Sequence, residues 1–359
     1  MQEDPYRQLA RRLDELPEGY PPTESGVELR ILAHLFTPEQ AALAAQLRLT
    51  PETPAEIAQR IGGDPKTLRK QLKEMARRGL IEAKRTGSGL GYALMPFVVG
   101  IYEYQADTID AELASAFEEY YGQGFLRVLA PDPPLHRVVP VGASIEAGIE
   151  IQPFESAAGI VDAAQAWGVV DCICRKQKAL VGDPCEHPLE VCMILSTTTP
   201  GAFDRAEGIR ALSREGALQV LHEAAEAGLV HSVSNNQRGI WYICNCCTCS
   251  CGVLRGLAEL GVANVVARSP FINQVDVEAC VGCGICVERC PFGALSVEAV
   301  AMVDAVRCTG CGVCTATCPE DALYLVRRAE DEIEPIPETQ MEWRAQRAAA
   351  RGIDLGRVL

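Results

Sequence analysis

The sequence predicts an α+β protein of two or three domains, and three observations lead there. In the first hundred residues two helical patterns precede a pair of strands about a glycine-rich tip. From Glu150 to Gly261 the pattern reads helix, strand, loop, helix, hairpin, with cysteines at the strand ends. A block of short strands and cysteine loops at 275–297 then returns without a gap at 303–325, a spacing of 28. At roughly 100 to 200 residues per domain, 359 residues make two or three domains with a sizeable buried core.

Charge and cysteine content narrow the function. The net charge of −15 argues against nonspecific binding to nucleic acid or anionic membrane, but it is unevenly spread. Residues 1–100 carry 14 Lys/Arg against 13 Asp/Glu and residues 101–359 carry 19 against 35, so any nucleic-acid function belongs near the N-terminus. The first residues have no apolar signal-peptide core, and "YALMPFVVGIY" falls short of the roughly 18 residues that span a bilayer, so a soluble, cytoplasmic protein without membrane insertion is expected. In a reducing cytosol, seventeen cysteines, an odd number, read as metal ligands rather than disulfides.

The segment 25–100 contains "TPAEIAQRIGGDPKTLRKQLKEMARRGLIEAKRTGSGLGYALM". Thr53 caps a helix begun by Pro54, and "GGD" turns the chain. Asp64 and Pro65 open a second helix with Leu68, Leu72 and Met75 on one face. Two strands about "GSGLG" complete a winged-helix pattern. Lys66, Arg69, Lys70 and Lys73 lie opposite the apolar stripe, as either a phosphate footprint for DNA or a solvated face. In 101–145, "IYEYQADTIDAELASAFEEYY" predicts a long acidic helix, packed on its own domain or used for a homodimer. "APDPPLHRVVP" predicts an extended linker.

In the cysteine-rich α+β domain, 146–262, strand alternation in "WGVVDCICRK" places Cys172 and Cys174 on one face. The loop "GDPCEHPLEVC" supplies Cys185 and Cys192, with His187 read as a hydrogen-bonded loop residue rather than a ligand. The segment 213–246 repeats the N-terminal order of helix, strand, turn and aromatic strand, with glutamates where the first helix has lysines. Its hairpin delivers "CNCCTCSC", which holds Cys244, Cys246, Cys247, Cys249 and Cys251. The expectation is one or two additional [4Fe-4S] clusters. Cys172, Cys174, Cys244 and Cys246 serve the first, while Cys185, Cys192, Cys247, Cys249 and Cys251 provide a second centre or a reactive spare thiol. Ser250 interrupts the run.

Each C-terminal copy reads C-x-x-C-x-x-C-x-x-x-C-P. Three cysteines at this spacing wrap one face of a [4Fe-4S] cube, and the fourth, carried away by its proline, serves the other cube. Cluster one then takes Cys280, Cys283, Cys286 and Cys318; cluster two takes Cys308, Cys311, Cys314 and Cys290. Gly282, Gly284, Gly310 and Gly312 are expected to make room where the loops approach the clusters. Structural zinc fits tandem triplets with a displaced Cys-Pro less well. Residues 271–328 resemble the bacterial two-cluster ferredoxin domain.

The tail, 329–359, is an acidic Pro-rich segment and a helix expected to dock through Met341 and Trp343. With "CICR", "CNCCTCSC" and the winged-helix pattern, the chain resembles a group of multi-cluster iron-sulfur proteins of anaerobic bacteria and archaea. That resemblance implies an electron carrier with a redox partner protein. A redox-responsive DNA-binding regulator and a cluster-dependent reductase component remain as alternatives. No nucleotide, flavin or phosphate-binding motif is apparent.

Overall fold

The computed structural model describes residues 3–140, 144–260 and 265–359. Residues 141–143 of the expected linker segment and 261–262 at the end of the expected central domain lie outside the described residues. The chain divides into two compact units, one of Met1–Asp132, Lys176–Pro184 and Arg344–Leu359, the other of Pro133–Arg175 and Cys185–Trp343.

The first unit is mainly helical: α1 (Pro5–Asp14), α2 (Val27–Leu35), α3 (Pro38–Ala44), α4 (Pro54–Ile61) and α5 (Pro65–Arg77) precede a hairpin of β1 (Glu82–Thr86) and β2 (Gly89–Ala93). Four of these helices begin with proline, whose fixed φ suits the first turn and whose missing N–H is not needed there. Thr37 with Gln40, and Thr53 with Glu56, form reciprocal capping boxes. Along α5, Leu68, Leu72 and Met75 are buried, and Lys66, Arg69, Lys70 and Lys73 are exposed.

The long helix expected over 101–121 is broken. A 3-10 turn occupies Glu103–Gln105, and α6 (Ala111–Tyr120) starts only after Asp110, whose carboxylate accepts from Leu113 N at 2.9 Å. That cap satisfies a free amide and sets the helix start. A short α7 (Leu126–Leu129) follows. The apolar side of α6 is spent inside its own unit, where Phe117 stacks on Tyr102 at 3.9 Å and Tyr120 packs against Tyr20. Arg347, fully buried, donates to the carbonyls of Pro17, Pro131 and Val128.

The second unit is built on a seven-stranded sheet of β3 (His136–Val138), β4 (Ala166–Asp171), β5 (Glu190–Ser196), β6 (Arg210–Leu212), β7 (Val230–Ser234), β8 (Tyr242–Cys246) and β9 (Val266–Ala267), in the order β6-β4-β5-β8-β7-β3-β9. Within this sheet only the β3–β9 pairing is parallel. Thus the expected linker contributes a strand: His136 and Arg137 are buried, and β3 pairs with β7 and β9.

Helices α8 (Ala157–Ala163) and α10 (Arg214–Glu226) bury Ile160, Val161, Val220 and Leu221 in one core with Met193, Leu195 and Ile243 of β5 and β8. Since side chains alternate along a strand, Cys192, Cys244 and Cys246 turn to the other face. Between these helices in chain order comes α9 (Ile173–Leu180), and α11 (Gly252–Leu260) follows β8.

The C-terminal repeat forms a pseudo-twofold pair. The first strand of copy one, β10 (Phe271–Val275), pairs antiparallel with the last strand of copy two, β13 (Leu323–Arg327). The inner strands, β11 (Leu295–Val297) and β12 (Ala301–Val303), pair likewise, and α12 (Ile285–Arg289) lies in copy one. Among the tail's expected anchors, Trp343 is buried and donates Nε1–H to Pro134 O at 3.0 Å, but Met341 is 45% exposed.

Candidate metal centres

The crossed cysteine sets meet at two separate cavities. Cys280, Cys283, Cys286 and Cys318 line the first with Val297, Ala301 and Leu323. Cys290, Cys308, Cys311 and Cys314 line the second with Asn273, Phe292, Leu295 and Leu325. The pairing explains the crossing: β10 lies against β13 and β11 against β12, so the fourth cysteine of each copy reaches the other copy's triplet.

Amide N–H groups aim at these sulfurs: Ala301 N to Cys280, Ala294 N to Cys290 and Ala322 N to Cys318, each at 3.3 Å. Thiolates are the acceptors this arrangement suits. Asn273 adds a side-chain donor, Nδ2 to Cys314 Sγ at 3.1 Å, for which the repeat has Ala301 at the equivalent position. Burial pushes the Cys311 thiol up to about 12, so a free thiol there stays protonated and only a bound cation would hold it as thiolate.

All four glycines line the cavities, and two of them are required by the scaffold as well, whereas a Cβ at Gly284 would meet no protein atom within 4 Å. Gly310 has φ +68°, and a Cβ there would lie 2.0 Å from Phe271 O; at Gly282 it would lie 2.5 Å from Ala299 O.

At one face of the central sheet and the loops beside it six thiols are near enough to perturb one another, in the circuit Cys172, Cys174, Cys251, Cys246, Cys244 and Cys192, which we call the ring. The expected quartet of Cys172, Cys174, Cys244 and Cys246 is thus together, joined by Cys192 and Cys251, which the sequence placed elsewhere. Strand alternation joins Cys244 to Cys246, but not Cys172 to Cys174. Strand β4 ends at Asp171 and Cys174 lies in the first turn of α9, so a strand-to-helix corner unites them. Interaction with Cys244 and Cys251 lowers the Cys246 thiol to about 7.

Beside the ring stands Arg175, 4% exposed. Its Nη2 donates to Asn245 O at 2.9 Å, and its Nε and Nη1 have no protein acceptor. Burial opposes its charge, but Cys172, Cys247, Cys246 and Cys192 outweigh that, and its pKa is raised. A buried guanidinium with idle donors calls for an anion, and a metal-thiolate assembly is anionic where six protonated thiols are not.

The remaining three central cysteines form a different kind of group. Cys185, Cys247 and Cys249 join His187, with all four ligand atoms within 4.8 Å of one another. Among the described residues no other set of His, Cys, Asp or Glu is so compact, and no three thiols of the ring are. His187, read from the sequence as a loop residue, turns Nδ1 toward Cys249 Sγ at 3.7 Å; Cys185 and Cys247 sulfurs are 4.0 Å apart. The signal was the pairing of C-x-H at 185–187 with C-x-C at 247–249.

The model of the 4Fe-4S binding domain family matches this chain twice, over residues 273–296 and 301–324. A stretch of 35 residues is 51% identical to an iron-sulfur subunit of the CoB–CoM heterodisulfide reductase of Methanopyrus kandleri. That stretch is 10% of this chain and 5% of the relative, so the likeness is confined to one segment. No solved structure matches. No helix among the described residues is long and apolar enough to cross a membrane.

Proposed function

We propose that this chain is an iron-sulfur electron-transfer protein in which the C-terminal repeat exchanges electrons with a partner protein and a further centre in the central sheet shares in the relay. The two domain matches carry two [4Fe-4S] clusters. In this reading one is held by Cys280, Cys283, Cys286 and Cys318, the other by Cys290, Cys308, Cys311 and Cys314. Such clusters, when bound, accept and release one electron at a time. The observation that carries the reading is the convergence of each crossed set on its own cavity, with amide donors aimed at the sulfurs.

The chain's own part is positioning and electrostatics. Val281 and Ile285 flank Cys283 and are 65% and 40% exposed, an apolar rim suited to a docking redox protein. At the inner side, Arg289 of α12 donates to Glu226 O at the end of α10, tying the repeat to the central sheet. The six-thiol ring holds the additional iron-sulfur centre. Six thiols exceed the four that one tetrahedral ion takes, and Arg175 supplies the counter-charge.

Anaerobic iron and acid-labile sulfide assays test this reading. More than eight irons per chain are expected, and Cys246→Ala should lose the excess and keep the signals of the two C-terminal clusters. About eight irons in both proteins would remove the additional centre. A second reading, DNA binding through α5, is favoured by the exposure of Lys66, Arg69, Lys70 and Lys73. A homodimer through α6 is not part of either reading, because its apolar side is covered within its own unit.

A further inference from the structure

We infer that Cys185, His187, Cys247 and Cys249 bind one tetrahedral divalent ion of the zinc type, a site separate in chemistry from every iron-sulfur centre proposed above. Spacing is the first argument. A zinc ion with Zn–S near 2.3 Å and Zn–N near 2.0 Å sets tetrahedral edges of about 3.8 Å between sulfurs and about 3.5 Å between sulfur and nitrogen. The observed separations are 4.0 Å for Cys185 to Cys247 and 3.7 Å for Cys249 to His187 Nδ1, with no pair in the set beyond 4.8 Å. A four-iron cube sets each thiolate on a different iron and so holds its ligands farther apart than one ion does. The second argument is the donor set, since three thiolates and one imidazole make a closed four-ligand shell for zinc.

The place in the fold gives the site its role. Cys185 and His187 lie in the loop before β5, and Cys247 and Cys249 follow the end of β8. Cys247 is rooted in a small core with Val191, Ala224 and Leu229, so the ion would pin the loop to the sheet. Cys249 is exposed and Cys185 and His187 are partly so, which leaves the site open to metal exchange. With four protein ligands and no position for substrate, it is a structural clip. The neighbouring ring is then left with six thiols and no spare, and the Arg175 guanidinium is near enough to feel thiols of both groups.

The test is metal analysis of the anaerobically purified full chain and its variants. One zinc per chain is expected in addition to the iron. Cys249→Ser and His187→Ala, both at sites with solvent access, should lose that zinc without changing iron or sulfide. His187→Cys should keep it. Loading the metal-depleted site with Co(II) should give the d–d and thiolate charge-transfer absorption of a tetrahedral ion, altered in His187→Cys and absent in Cys249→Ser. If Cys249→Ser instead loses iron and sulfide together, the four residues belong to a cluster and the inference is overturned. It is equally overturned if both loss variants keep the parent's zinc content, or if the parent holds no zinc and binds no Co(II). The electron-transfer reading is tested separately, by the iron count of the parent chain and of Cys246→Ala, so its failure is distinguishable from a failure here.

Discussion

Asn273→Leu should lower the reduction potential of the cluster on Cys290, Cys308, Cys311 and Cys314 and leave the other unchanged. The amide Nδ2 of Asn273 donates to Cys314 Sγ at 3.1 Å in a buried position. A donor to a thiolate stabilises the reduced centre, with its extra negative charge, more than the oxidised one. Hydrogen bonds to charged groups contribute about 1.5–3 kcal/mol in total, and if about 1 kcal/mol of that distinguishes the two states, the shift is roughly 40 mV for one electron. Leucine keeps the volume, and the loss costs little stability because Asn273 Oδ1 has no partner in the parent protein. The repeat supplies the control: the equivalent position is Ala301, so only one cluster has this donor. A redox titration followed by electron paramagnetic resonance measures both midpoints. A shift upward, no shift, or an equal shift of both clusters would refute the reasoning.

Two other outcomes follow from charges already placed. Arg175→Met should lower the potential of the additional centre, or lose its iron, since the buried guanidinium faces Cys172, Cys246 and Cys192; if those thiols are instead neutral and metal-free, denaturant unfolding should show a gain on the order of 1 kcal/mol or more from removing an unpaired buried charge. For the DNA reading, changing Lys66, Arg69, Lys70 and Lys73 together to Ala should weaken duplex binding and flatten the logarithmic salt slope by roughly 3 to 4, at about 0.9 per lost phosphate contact. Fluorescence anisotropy across a salt series measures this, and an unchanged slope or no binding by the parent chain rules that reading out.

The grouping of the C-terminal cysteines about two cavities was legible because its information is local. Each triplet is fixed by loop spacing, and one symmetric exchange of the fourth cysteine follows from the proline. The starts of α4 and α5 were legible for the same reason: capping is settled within three or four residues, by Thr53 with Glu56 and Asp64 with Thr67. The break before α6 was also local, and Asp110 was its sign, but an apolar and acidic pattern read as one helix hid it.

How the nine central cysteines divide was only partly legible in local pattern. Cys192 and Cys251 are separated from Cys172 and Cys174 by loops of unlike length, and only the sheet order β4-β5-β8 and the corner into α9 bring them to one ring. A one-residue change of side at Cys246 and Cys247 sends the first into that ring and the second to His187, because neighbouring side chains at a strand end point apart. Residue spacing and composition sufficed for the two crossed cysteine ladders and for a thiol-rich central domain. Which thiols share a space was left to the fold, since that depends on strand register and on contacts between residues some 60 positions apart, such as Cys185 and Cys247.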